Sequence, residues 1–311
     1  MAGSIWIAAL ATAITAGTPI LYAALGEIIA ERAGVMNLGV EGMMLVGAVT
    51  GFMVGVQTSQ PWLGFLAAIL AGGTSATVFA FLTITLRANQ VVTGLALTIF
   101  GTGLSGFLGK PYIGVPLPLS FKPIDIPVLS RIPVIGPVLF HHDVLVYLTY
   151  ILVPLLWYYF HRTRPGLSLR AIGENPGAAD ALGVDIFKLR YLYVIIGGML
   201  AGAGGAYLSL AYAPSWLENM TAGRGWIAVA LVIFAMWDPV KAMIGSYLFG
   251  GADALSYTFQ AANITIVPTF FFKMIPYFLT LIVVILATRR TLVKHIVTPG
   301  ALGIPYDREE R

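Results

Sequence analysis

Apolar residues run through this chain in long blocks, not in the spaced patterns of soluble helices and strands. Nine blocks stand out, at about 4–26, 34–57, 61–86, 90–109, 143–161, 191–211, 225–237, 240–260 and 268–288. A helix crosses a hydrocarbon layer of about 30 Å with roughly 20 apolar residues. The pattern therefore predicts an all-α polytopic membrane protein, with roughly eight to ten transmembrane helices in a single transmembrane domain over residues 1–311. The block at 225–237 is too short to cross as an ordinary helix. It is expected to be broken or re-entrant, because irregular backbone at membrane depth is tolerated only inside protein or facing water.

Two polar stretches interrupt the blocks. Residues 110–142 hold Pro111, Pro116, Pro118, Pro123, Pro127, Pro133 and Pro137. Prolines stiffen a chain and prevent ladder pairing. This loop is read either as a lid over the helix bundle or as a docking surface for an external partner. Residues 162–190 form the second stretch. They contain Asn175 as a cap, Pro176 at a first helical position and Gly183 as a stop. The helix so bounded, "PGAADAL", has about two turns and is too short to be stable alone in water. The bundle or another protein must hold it.

Composition makes lipid the solvent. The chain is 58% hydrophobic and 10% charged with a mean hydropathy of +0.85, against about 25% charged residues in soluble domains. The net charge of +4 is then a topology signal, and no nucleic-acid partner is expected. Placing residues 162–190 inside leaves thirteen Lys and Arg inside against five outside. That puts the N-terminus and the 110–142 loop outside, and the C-terminus inside. No Lys/Arg-rich region precedes the first block, so it is read as a permanent span. The absence of cysteine excludes disulfides and Cys-based metal centres.

Candidate chemistry is sparse. Glu41 stands in an apolar block, where a charge costs roughly 2.5–3.5 kcal/mol, so it is expected to face the bundle interior. Helical spacing puts Asn37 and Gly34 on its face. It can fix helix packing through a buried donor, line a polar path, or serve as an ion or proton site. Asn89, Gln90 and Thr93 open the fourth block, as caps or as path lining. Gly198 with Gly202, and Gly197 with Ala201 and Gly205, form small-xxx-small rows that let membrane helices approach closely. His141, His142 and Asp143 are adjacent and point apart, so an interfacial loop is preferred to a metal site. "GLSGFLGKP" and "GAGGAY" fail the phosphate-loop and dinucleotide patterns. No catalytic triad, carboxylate pair or H-E-x-x-H motif supports an enzyme.

Four stretches in order carry a family resemblance. "LRAIGENPGAADALGV" resembles the cytoplasmic coupling segment of permease subunits from bacterial ABC importers, in the branch that carries branched-chain amino acids, ribose-type sugars and nucleosides. "ERAGVMNLGVEGMMLVGA", "ANQVVTGLALTIFGTGLSGFLG" and "GRGWIAVALVIFAMWDPVKAMIGSYLFGGADAL" resemble blocks of its nucleoside-type members. The resemblance implies a permease domain in a bacterial plasma (inner) membrane. Its partners would be cytosolic ABC ATPase subunits, a second permease subunit, an external substrate-binding protein and membrane lipid. No cofactor is expected in this chain, since ATP and Mg would bind the ATPase. Arg170, Gly173, Glu174, Asn175, Ala179 and Gly183 are the implied coupling residues. Asn37, Glu41, Asn89, Gln90 and Thr93 are the candidate path residues. Ribose-like sugars or branched-chain amino acids are the alternative cargo. An ion-coupled secondary transporter using Glu41 is the alternative of another class.

Overall fold

The computed structural model describes residues 2–261, 274, 278, 282, 285 and 298–308. Eleven helices are present among the described residues. They are α1 (Ala2–Arg32), α2 (Val40–Thr58), α3 (Pro61–Ala80), α4 (Gln90–Gly109), α5 (Ile135–Leu139), α6 (Val144–Arg162), α7 (Arg164–Glu174), α8 (Pro176–Ala181), α9 (Ile186–Tyr207), α10 (Arg224–Ala235) and α11 (Pro239–Ala261). Single π-turns extend α3 over Phe81–Thr85 and α9 over Leu208–Tyr212. Among the described residues, six helices are long and apolar enough to cross a membrane. The protein is an all-α polytopic membrane protein. Of the expected block at 268–288, only residues 274, 278, 282 and 285 are described, each of them helical; the rest lies outside the described residues.

Glycine places α9 at the centre. Gly197 lies against the carbonyl of Gly26 in α1, where an added Cβ would stand 2.7 Å away. Gly198 meets Gly72 in α3 at the same distance, and Gly204 meets Pro19 of α1 at 2.8 Å. Gly202 sits where α2 and α3 both press on α9, against Gly47, Ala68 and Gly72. Side chains would hold these backbones apart, so the small residues set the interhelix distance.

The 110–142 loop folds over helix ends, against the start of α3 and the π-turn after α9. Phe121 donates its amide to Leu210 O and packs edge-on to Trp62, with ring centroids 5.0 Å apart. Its strands β1 (Ile124–Asp125) and β2 (His141–His142) pair over only two residues each. His141, His142 and Asp143 take separate partners. His141 meets Asp125, His142 Nε2 meets Val138 O, and Asp143 caps α6 while accepting from Tyr207. Burial holds the His142 imidazole below its ordinary pKa, which favours the neutral ring.

Three sequence expectations change. The first block ends at 26 by pattern, but α1 continues to Arg32, so Glu27 and Glu31 lie inside it, 1% and 2% exposed. The second block starts its helix at Val40, not 34. Gly34 takes φ +83°, and the chain then runs back along α1, where Asn37 N donates to Glu27 Oε1 at 2.8 Å. Asn37, Gly34 and Glu41 therefore share no helical face. The 162–190 segment is also more ordered than an interhelix loop with one short helix. It holds α7 as well as α8, and α9 begins at Ile186, which buries Arg190 with its Nε on Ala33 O.

Candidate functional site

The turn at Gly34 carries residues 35–39 into the bundle. Gly42 accordingly lies beside Leu97 and Thr98, with an added Cβ 2.6 Å from Leu97 O. That point is about 12 Å up α4 from Gln90, at 1.5 Å per residue. Helix α10 reaches the same level from the opposite side. Its C-terminal end is anchored to the end of α1, where Arg32 Nε donates to Trp237 O at 2.9 Å and Trp237 Nε1 donates to Glu31 at 2.5 Å. Twelve residues rise about 18 Å, short of a hydrocarbon layer of about 30 Å, and its first residues, Arg224 and Gly225, are buried in the bundle. The short seventh block is thus a half-helix.

Glu41 closes that buried terminus. Its Oε1 accepts from Thr221 Oγ1 at 2.5 Å and Gly223 N at 2.9 Å, and its Oε2 accepts from Gly225 N at 2.6 Å. The first N–H groups of a helix have no internal partner and carry the positive end of its dipole. A carboxylate from another helix supplies what water would supply at the surface. The neighbouring Arg224 is 9% exposed, and it donates to Thr221 O at 3.2 Å and to Asp253 on α11 at 3.1 Å. Arg224, one of the five Lys and Arg that the charge bias places outside, is thus buried and paired within the bundle.

The other path candidates are dispersed. Asn89 caps α4, accepting from Val91 N at 3.0 Å. Gln90 is buried and accepts from Met36 N at 2.8 Å. Asn37 accepts from Gly39 N at 3.0 Å. Thr93 faces a cavity of about 710 Å³ between α2, α3 and α4, with Val46, Thr74, Ser75 and Phe100. The wall is mainly apolar, with the hydroxyls of Thr74, Ser75 and Thr93 as its polar groups.

Helices α7 and α8 carry the coupling candidates. Asn175 Oδ1 accepts from Ala178 N at 3.0 Å, Pro176 opens α8 and Gly183 takes φ +83°. Gly173 is buried on the carbonyl of Arg32, and Ala179 is 2% exposed. Both seat the segment on this chain's own bundle. Glu174, Asn175 and Gly183 face outward. Arg170 and Glu174 line a cavity of about 410 Å³ with Arg32, His161 and Trp237. Replacing Asn175 by alanine should cost α8 about 1 kcal/mol. Amide exchange at Ala178 should then quicken roughly fivefold, as read by hydrogen–deuterium exchange, with α9 unchanged.

The family model described as "Branched-chain amino acid transport system / permease component" matches residues 9–285. The chain belongs to this permease family. It is 43% identical to the "Putative glucose ABC transporter permease protein TsgC13" of Haloferax volcanii, over 95% of this chain and 96% of that one. It is 33% identical to the nucleoside ABC transporter permease protein NupC of Lactococcus lactis, covering 93% of each. The guanosine ABC transporter permease protein NupQ of Bacillus subtilis is also 33% identical, with 94% of each covered. The chain is thus an ABC transporter permease component, and these relatives are named as permeases, not enzymes.

Several residues of this permease escaped the sequence reading. Glu27 and Glu31 were legible as acids four apart at the edge of an apolar block. Arg224 and Asp253 were legible as charges in "GRGW" and "GGADAL". Their partners were not, because Thr221 lies 180 residues from Glu41 and Asp253 29 residues from Arg224.

Proposed function

We propose that this chain forms half of the translocation path of an ABC importer for sugar-bearing solutes, with nucleosides first among them. An external binding protein delivers the solute. A second permease subunit completes the path. Cytosolic ATPase subunits bind ATP and Mg and drive the cycle through α7 and α8. The complex sits in a bacterial plasma membrane. The observation that carries the reading is the 33% identity, along more than nine-tenths of the chain, to permeases named for nucleosides and guanosine. The groove beside Thr93 supports it, being wide enough for such a solute. The exposed, capped α8 supports docking of a separate motor. The 43% identity to a permease named for glucose favours a second reading, in which the cargo is the sugar alone.

Uptake separates the readings. Cells expressing this chain with its ATPase, partner permease and binding protein should accumulate labelled guanosine in an ATP-dependent way, unaffected by excess glucose. Glucose accumulation that guanosine fails to compete would establish the second reading. Uptake by this chain alone, driven by an ion gradient and indifferent to ATP, would overturn both.

A further inference from the structure

Residues 298–308 cross the inner face of the bundle and touch every element that meets α8 or leads away from it. Ala301 N donates to Gly173 O at 2.8 Å, at the end of α7. Gly303 N donates to Gly34 O at 3.3 Å, in the turn between α1 and α2. Arg190 of α9 donates to Ile304 O at 3.4 Å. The Tyr306 ring packs on Phe187 of α9, with centroids 5.9 Å apart. Asp307 pairs with Arg87, just before α4. The end of the segment then grips α8 itself. Tyr306 Oη donates to Asp180 Oδ2 at 2.9 Å, Arg308 Nε donates to the same oxygen at 2.9 Å, and Arg308 Nη2 donates to Oδ1 at 2.6 Å.

We propose that residues 298–308 are a strap that fixes α8 to the α1–α2 turn, with Asp180, Tyr306 and Arg308 as positioning residues for motor-driven movement. The inference rests on the motor-coupled reading above. Six residues cannot hold a helix in water, and α8 otherwise packs on its flanking helices α7 and α9. Beside the core contact of Ala179, the strap supplies a polar hold on the Asp180 face of α8. Arginine grips the carboxylate through two parallel bonds, which fixes direction as well as distance. The Asp180 side chain is only 9% exposed beneath it, while Arg308 stays 57% exposed. An isolated exposed ion pair contributes little to stability. This pair instead determines where α8 sits. The strap's contact with Gly34 continues into the segment that carries Glu41 to the N-terminus of α10. Movement of α8 is thereby joined to the buried half-helix through contiguous contacts.

The test uses the complete complex in vesicles, and reads solute accumulated per ATP hydrolysed. The probe is labelled guanosine or labelled glucose, whichever the parent accumulates. Arg308→Ala and Asp180→Asn should lower that ratio at least fivefold, while the co-purifying ATPase and its hydrolysis rate stay within twofold of the parent. The double exchange Asp180→Arg with Arg308→Asp should bring the ratio back to within twofold. A purely structural role would lower complex yield and leave the ratio alone. An unchanged ratio in Arg308→Ala, or a double exchange no better than the single variants, overturns the strap. Arg308 is exposed, so Arg308→Ala decides the matter even where Asp180→Asn accumulates poorly. A parent chain that recruits no ATPase overturns the motor-coupled reading itself, a result distinct from a parent that works and a variant that matches it.

Discussion

Replacing Glu41 by alanine is expected to cost about 3 kcal/mol or more, since hydrogen bonds to charged groups contribute about 1.5–3 kcal/mol each and orphaned buried donors keep their desolvation cost. The carboxylate takes three donors, from Thr221, Gly223 and Gly225. Two of these are backbone amides at the start of α10, and no side chain of α10's own cap accepts from them. Without Glu41 they face the bundle interior unpaired. The expected result is low membrane abundance and a thermal midpoint lowered by several degrees in detergent. Glutamine should fall between alanine and the parent. It retains one acceptor oxygen but turns an NH2 toward an N–H donor. Thr221→Val, which deletes one of the three donors, should be milder still. Parent-like stability of the alanine variant would mean that the half-helix is held by packing alone, and the carboxylate would then need another purpose.

The second large effect is expected at Gly202. Its Cα is the meeting point of α9 with α2 and α3. A Cβ there would collide with Ala68 O and crowd Gly72 Cα, both on α3, and an added Cβ on Gly47 of α2 would in turn meet Gly202 Cα. Gly202→Leu should leave almost no folded protein, because the obstacle is the backbone of α3, not a movable side chain. Overpacking against side chains costs about 1–3 kcal/mol. Here whole helices would have to separate. Gly103 is the matched control. It lies on α4 with nothing within 4 Å of an added Cβ, so Gly103→Ala should accumulate as the parent does. Comparing the two by fluorescence size-exclusion of detergent extracts checks the expectation. Equal monodisperse peaks would mean that the α2–α3–α9 crossing is looser than its geometry implies.

These two sites bear differently on the sequence. The glycine rows in α9 were readable as contact surfaces from spacing alone, since only small residues four apart allow backbones to touch. Spacing could not say which helices they would meet. Glu41 was readable as an anomaly, since an intramembrane carboxylate must find a partner. Its partner stands at the far end of the chain and belongs to a helix whose depth no local pattern records. The cap, first proline and stop of α8 were likewise legible, because each acts within a few residues. The strap over α8 was not, because Arg308 lies 128 residues from Asp180.

The sequence by itself determined that this protein is an all-α membrane protein with many apolar helices, and that the short helix at Pro176 is capped by Asn175. Both follow from run length and local caps, and involve interactions within a few residues. The tertiary structure alone decided that α10 starts inside the bundle, that Glu41 closes its N-terminus, that Asn37 and Glu41 sit on different elements, and that the C-terminal segment holds α8. Those outcomes depend on where the turn at Gly34 sends the chain, and on donors and acceptors more than a hundred residues apart. A hydrogen bond specifies its partner only once the packing of glycine-lined helices has brought the two together.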